Sequence, residues 1–267
     1  EFFEIPQDAF FYLINQPVYH QFEIPKKKGG QRIIMAPNKH LKRIQQRLNF
    51  YLQAYYYTIK PKEVHGFVVN PNCKKNYCNI LENAKVHCYK KFVLNIDLKD
   101  FFPSIKGKQI LELFLSPIFG FSEDLSLMLA MICTYQGALP IGAPTSPVVS
   151  NFICLQLDGE LIAFAEKYDL AFTRYADDLS FSGNESISPE MIAELRAIIS
   201  KHGFEVNEKK FRIAHKHAKQ SVTGITVNKK PNVDRKLLKK VRAMLHDMTK
   251  NGLELATQKH FELNTAT

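Results

Sequence analysis

Two acidic sites far apart in the chain constrain its fold more than any other feature. The first is Asp97, which closes the apolar run Phe92-Val93-Leu94-Asn95-Ile96. The second is the tetrapeptide Tyr175-Ala176-Asp177-Asp178. An Asp-Asp pair alone is an ordinary turn feature. Here Phe172 precedes it and Leu179 and Phe181 follow, which gives a strand, a tight turn and a second strand over 170–182. Adjacent carboxylates at a hairpin tip repel each other and cost stability unless a cation sits there. With a strand-borne aspartate added, three hard carboxylates can hold two Mg²⁺ ions about 3.5–4 Å apart. Such a pair of ions activates an attacking hydroxyl and stabilises a departing pyrophosphate. The chain must therefore bring the end of one strand beside the turn of another pair.

The balance of charge points the same way. Among 267 residues, 36 Lys and Arg outweigh 26 Asp and Glu, a net charge of +10, which favours a polyanionic partner. The hydrophobic fraction of 45% excludes a disordered chain. No apolar run approaches the ~18 residues of a membrane helix, and the start, Glu1-Phe2-Phe3-Glu4, has no basic-then-apolar leader. The missing initial Met suggests a fragment. Five scattered cysteines suit a reducing cytosol better than a disulfide framework. Cys73, Cys78, His87 and Cys88 do not have familiar zinc-site spacing and read as free or structural thiols.

Local pattern supplies further elements. Lys26-Lys27-Lys28-Gly29-Gly30 reads as a basic turn between two strands, the second over 31–36. Leu41, Ile44, Leu48 and Leu52 recur at helical spacing, predicting a helix over 39–55. Its other face carries Lys42, Arg43 and Arg47, either merely solvated or in contact with phosphates. Ser188, Pro189 and Gly203 punctuate a helix between 189 and 202. Asp234 and Gly252 bound another, with Leu237, Val241, Met244, Leu245 and Met248 as its expected buried stripe, flanked by Lys236, Lys239, Lys240 and Arg242.

Taken in order, these motifs resemble the reverse transcriptases. Asn95-Ile96-Asp97-Leu98-Lys99-Asp100-Phe101-Phe102 and Tyr175-Ala176-Asp177-Asp178 resemble that family's catalytic core. Leu139 to Pro147 is similar to its substrate loop, and Gly203-Phe204 with Asn207 and Lys210 to a later motif. Asn83-Ala84-Lys85-Val86-His87 and Val222-Thr223-Gly224 resemble two elements of the bacterial retron-type branch.

The resemblance implies an α+β right-hand polymerase with fingers, an antiparallel-sheet palm and a short helical thumb. The expected division is fingers over 1–90, palm over 91–228 with a finger-like insertion near 115–140, and a truncated thumb over 229–267. It implies Asp97, Asp177 and Asp178 as catalytic ligands of two Mg²⁺ ions, with the Leu98 carbonyl as a further ligand. Phe102 stands where the family places a ring against the ribose 2′-OH, although one of Phe101 and Phe102 is expected to pack into the core. Ala143, Pro144 and Lys210 would meet the nucleotide; for Lys210 the alternative is a solvated charge beside Lys209. Lys42, Arg43, Arg47, Asn83, His87, Lys236, Lys239 and Lys240 would meet nucleic acid. The implied partners are a structured non-coding RNA as template and primer, an RNA–DNA duplex, deoxynucleoside triphosphates and, as a further possibility of the branch, an effector protein in antiphage defence. The implied setting is the bacterial cytoplasm, with no membrane. Ile141 departs from the family, which usually has glutamine there, and the triphosphate-binding cation of the fingers has no clear place near Lys74 and Lys75.

Overall fold

The computed structural model describes residues 12–25, 29–71 and 78–261. The basic turn Lys26-Lys27-Lys28, together with Cys73, Lys74 and Lys75, lies outside the described residues. Strands β1 (Tyr19–Pro25) and β2 (Gln31–Pro37) form an antiparallel hairpin, with Tyr19 opposite Pro37 and Pro25 opposite Gln31. Asn38 then caps helix α1 (Lys39–Ile59), its side-chain oxygen accepting from the Leu41 amide at 2.9 Å. Leu41, Ile44, Leu48, Leu52 and Tyr56 form its buried face. The helix runs past the expected end at 55 and stops at Lys60, just before Pro61, where the helical conformation is disfavoured.

The palm is a five-stranded antiparallel sheet. Its order is β4 (Ala171–Tyr175), β5 (Asp178–Gly183), β3 (Phe92–Lys99) and β6 (Glu205–Val206), with β7 (Arg212–His215) also pairing with β3. Side chains alternate across a strand, and β3 is covered on both faces. Phe92, Leu94, Ile96 and Leu98 enter the main core. Val93, on the other face, packs with Ala84, Val222 and Val227 in a small second cluster. Asp97 follows Val93 and Asn95 on that second face.

Helix α2 (Ile80–Lys85) lies over the second face beside the short hairpin β8 (Ser221–Val222) and β9 (Ile225–Thr226). The main face is backed by α6 (Ser146–Ile153), α7 (Leu155–Lys167) and α8 (Pro189–Lys201). Ser188 caps α8 as expected, accepting from the Met191 amide at 3.3 Å. Between β3 and α6 run α3 (Phe101–Ser104), α4 (Gly107–Leu115) and α5 (Glu123–Cys133), which packs on α4 and α1. Among the described residues no single helix is long and apolar enough to cross a membrane.

Helix α9 (Arg235–Asn251) starts at Asp234 and ends at Gly252 (φ 81°), as the end signals predict. Its apolar stripe is not buried, contrary to expectation. Leu237 and Leu245 are 53% and 55% exposed, Val241 and Met248 are exposed, and Met244 is half-buried. The reason is packing: the main neighbour of α9 is α10 (Leu253–Phe261), not the palm. Asp247 joins the two helices, meeting Lys259 at 3.0 Å and His260 at 2.5 Å.

Candidate active site

Pairing of β3 with β5 places Asp97 directly opposite Asp178, and β4–β5 pairing places Tyr175 opposite Asp178. Asp177 lies in the intervening turn, and its carbonyl oxygen accepts from the Leu98 amide at 2.9 Å. The turn needs Ala176 at φ 58°, a left-handed conformation costly for any residue with a Cβ. The three acidic groups are thus gathered at one end of the sheet.

Asp97 is buried, and both its oxygens are engaged. Asn207 donates to Oδ1 at 2.9 Å and the Lys210 ammonium to Oδ2 at 2.5 Å. Partial burial alone would lower the Lys210 pKa, but its bond to Asp97 and the charges of Asp97, Asp177 and Asp178 raise it. Lys210 is therefore no solvated bystander: it is the cation that compensates the cluster. Burial, with the charges of Asp177 and Asp97, pushes Asp178 up to about 6. Burial and Asp97 also raise Asp177, against the opposing influence of a backbone hydrogen bond, Lys210 and Arg32.

These carboxylates suit a hard divalent cation in donor chemistry and in their shortage of compensating charge. Among the described residues no three His, Cys, Asp or Glu side chains converge on a single ion position. At Asp97 a metal would have to take the place of the Lys210 ammonium.

The neighbouring segments surround this end of the sheet. Phe101 is buried and stacks on Phe204 with ring centroids 5.5 Å apart, so it is the core ring of the pair. Phe102 is half-buried against Phe67, 5.8 Å between centroids. The substrate-like loop docks on β2: the Met35 amide donates to the Ile141 carbonyl oxygen at 2.7 Å. At Gly142 (φ 118°) an added Cβ would lie 2.8 Å from Ile34. Ile141 thus contributes its backbone to loop placement. Ala143 is buried and Pro144 half-buried in the same loop.

Arg32 was not singled out by sequence pattern. It is exposed on β2, and its charge acts on Asp177. Only hairpin register and loop docking bring it there, so its signal was tertiary.

Two expected nucleic-acid contacts are corrected by burial. His87 is fully enclosed, with Nδ1 and Nε2 each 2.7 Å from a hydroxyl, of Ser182 and Thr173 respectively. Burial, helped by His65 and Lys90, drives its pKa down to about 3. Asn83 is buried as well, its amide 3.4 Å from the Thr223 hydroxyl. The two retron-like elements therefore meet each other: Asn83 touches Thr223 and Ala84 packs with Val222. Lys42 and Arg43 are exposed on α1 and Arg47 half-buried; Lys236, Lys239 and Lys240 are exposed on α9.

Against this geometry, the sequence profile of the reverse transcriptase (RNA-dependent DNA polymerase) family matches residues 24–264. The chain belongs to the reverse transcriptase family. Its relatives include the retron Mx65 reverse transcriptase of Myxococcus xanthus, 33% identical over 91% of this chain and 59% of that protein. The retron Ec86 reverse transcriptase of Escherichia coli is 38% identical over 63% of this chain and 52% of its own length. The chain thus spans a little over half the length of these curated relatives. In fold it resembles the telomerase of Candida albicans solved with a telomeric RNA fragment, at a TM-score of 0.59 and 11% identity, over 86% of this chain and 47% of that one. The α+β reverse transcriptase architecture expected from the motifs is therefore the one found.

Proposed function

We propose that this protein copies RNA into DNA at the carboxylate end of the palm sheet, with Asp97, Asp177 and Asp178 as ligands of two Mg²⁺ ions and the Leu98 carbonyl as a further ligand. The single observation that carries this reading is the register that sets Asp97 against Asp178, with Asp177 on the adjoining turn. Magnesium held there supplies charge stabilisation at the attacking primer hydroxyl and the departing pyrophosphate.

The chain's own residues supply the rest. The Lys210 ammonium, held beside Asp97, is the cation that would meet the incoming triphosphate. Arg32 offers a second cation from the hairpin side. Phe102 closes the side of the site that a ribose 2′-OH would occupy, and Ala143 and Pro144 shape the opposite approach. Lys42, Arg43, Arg47, Lys236, Lys239 and Lys240 hold the duplex through its phosphates, which position the nucleic acid without reading its sequence. Residues 1–90, 91–228 and 229–267 act as fingers, palm and thumb.

The retron relatives and the meeting of Asn83 with Thr223 support a finer reading. The template and primer are one structured non-coding RNA, synthesis starts from an internal 2′-OH, and the product is DNA joined to RNA, made in an antiphage defence system with an effector protein. Sequencing of the nucleic acid that co-purifies with the protein tests this. A single structured RNA branched to DNA is expected. Unbranched DNA would point to another defence-associated reverse transcriptase with a different primer, and bound RNA without DNA to a scaffold.

A further inference from the structure

A buried polar cluster directly beneath the catalytic turn is not used by the chemistry above. Arg174 of β4 is fully buried and grips Asp158 of α7 with both arms of its fork, from Nε and one terminal nitrogen, each at 2.6 Å. Its other terminal nitrogen donates twice more, to the Asn151 side-chain oxygen at 2.9 Å and to the Ala176 carbonyl at 3.2 Å. Asn151, also buried, passes the connection on. Its amide donates to the Gly66 carbonyl at 3.0 Å and the Phe67 carbonyl at 3.3 Å.

The two ends of this chain of bonds are alike. Ala176 and Phe67 are both non-glycine residues at φ 58°. Left-handed backbone of that kind persists only where its surroundings over-determine it. Here one network holds the carbonyl oxygens of both residues. Gly66 closes the gap between them, because a Cβ there would lie 2.2 Å from the Ala176 nitrogen. The Phe67 ring in turn rests beside Phe102. A buried ion pair is poor value as a stabiliser compared with apolar packing, and a lysine could not serve four acceptors from one planar fork.

We infer that Arg174 and Asn151 are positioning residues that set the catalytic turn against the Gly66–Phe67 segment and so fix the wall against which the nucleotide sugar is selected. This rests on the proposed reading of this end of the sheet as the site of nucleotide addition. The strained turn carries Asp177 and Asp178 at one end of the network, and the gate's neighbouring ring stands at the other. The Phe67 carbonyl also accepts from the Gln53 side chain at 3.0 Å, so removing Asn151 frees the Gly66 carbonyl and one of the two bonds to Phe67, loosening the wall without touching any carboxylate.

The test is single-nucleotide incorporation on a primed RNA template, with ribonucleotide and deoxynucleotide in separate reactions. Their ratio does not depend on how much enzyme is folded, so a merely structural role leaves it unchanged. Asn151→Ala should raise ribonucleotide use relative to deoxynucleotide use by about tenfold, part of the ~10²-fold that a 1 Å misplacement can cost. Phe102→Ala is run alongside. If both variants raise the ratio, the inference and the gate both stand. If only Phe102→Ala does, the inference is overturned and the gate survives. If only Asn151→Ala does, the network stands, Phe67 is the wall and the gate assignment falls. If neither does, both fall. Should Asn151→Ala fail to fold, Phe67→Leu removes the ring without disturbing the buried bonds, and an unchanged ratio there overturns the inference.

Discussion

The turn that bears Asp177 and Asp178 and helix α9 carry charge in opposite ways. Around the turn the supporting groups are held by named bonds: Asp97 by Asn207 and Lys210, and the Ala176 carbonyl by Arg174, itself clamped on Asp158, while the Asp177 and Asp178 carboxylates are left short of compensating charge. On α9 the lysines are exposed, and so is most of the apolar stripe between them. The contrast separates two demands. Phosphoryl transfer needs groups fixed before substrate arrives, because reorganisation adds to the barrier. Phosphate contact along a duplex needs only charge within reach, and long flexible side chains supply it.

If that contrast is right, the largest effects should come from small changes at the turn. Gly66→Ala forces a methyl group against the Ala176 nitrogen, and either the turn or the 63–67 segment must yield. Primer extension should fall by about 10²-fold, with binding of a primed RNA template retained. Extension at the wild-type rate would show that the close approach is tolerated.

A smaller effect should appear in the stability of the palm's second face as a function of pH. His87 is held neutral in the folded protein, with its pKa near 3. Once unfolded, the ring takes a proton below its ordinary pKa of about 6.5. Its contribution is therefore fully present above about 6.5 and drains away as the pH falls toward 3, by at most about 1.4 kcal/mol per pH unit. Thermal melts between pH 7 and 4.5 should fall more steeply for the wild type than for His87→Gln. Parallel curves would mean that the imidazole is protonated in the fold.

The smallest effect belongs to α9. Replacing Lys239 and Lys240 by Gln should flatten the salt dependence of duplex binding by about one to two units, at roughly 0.7–0.9 per phosphate contact. Binding to many sequences should weaken alike. An unchanged slope would make this face a solvated one and shift the duplex contact to Lys42, Arg43 and Arg47.

The same contrast governs what the sequence disclosed. The three aspartates were legible because each sits in a local pattern, an apolar strand or a hairpin tip. The ends of the helices at Ser188, Asp234 and Gly252 were legible because caps are written in one or two residues. Arg174, Asp158 and Asn151 were not, since their bonds join separate elements and none has a flanking signature. His87 misled because a motif histidine looks available until Ser182 and Thr173 are seen to enclose it. The stripe of α9 misled in the other sense: helical spacing shows that a face is apolar, not what covers it.

The central claim is that Asp97, Asp177 and Asp178 form the catalytic centre. Primer extension on an RNA template by Asp177→Asn, with Mg²⁺ and alongside a binding assay on the same template, tests it most directly. Loss of at least ~10²-fold in extension is expected, because one ligand charge is removed from the metal site, while template binding is retained. Extension near the wild-type rate would contradict the assignment.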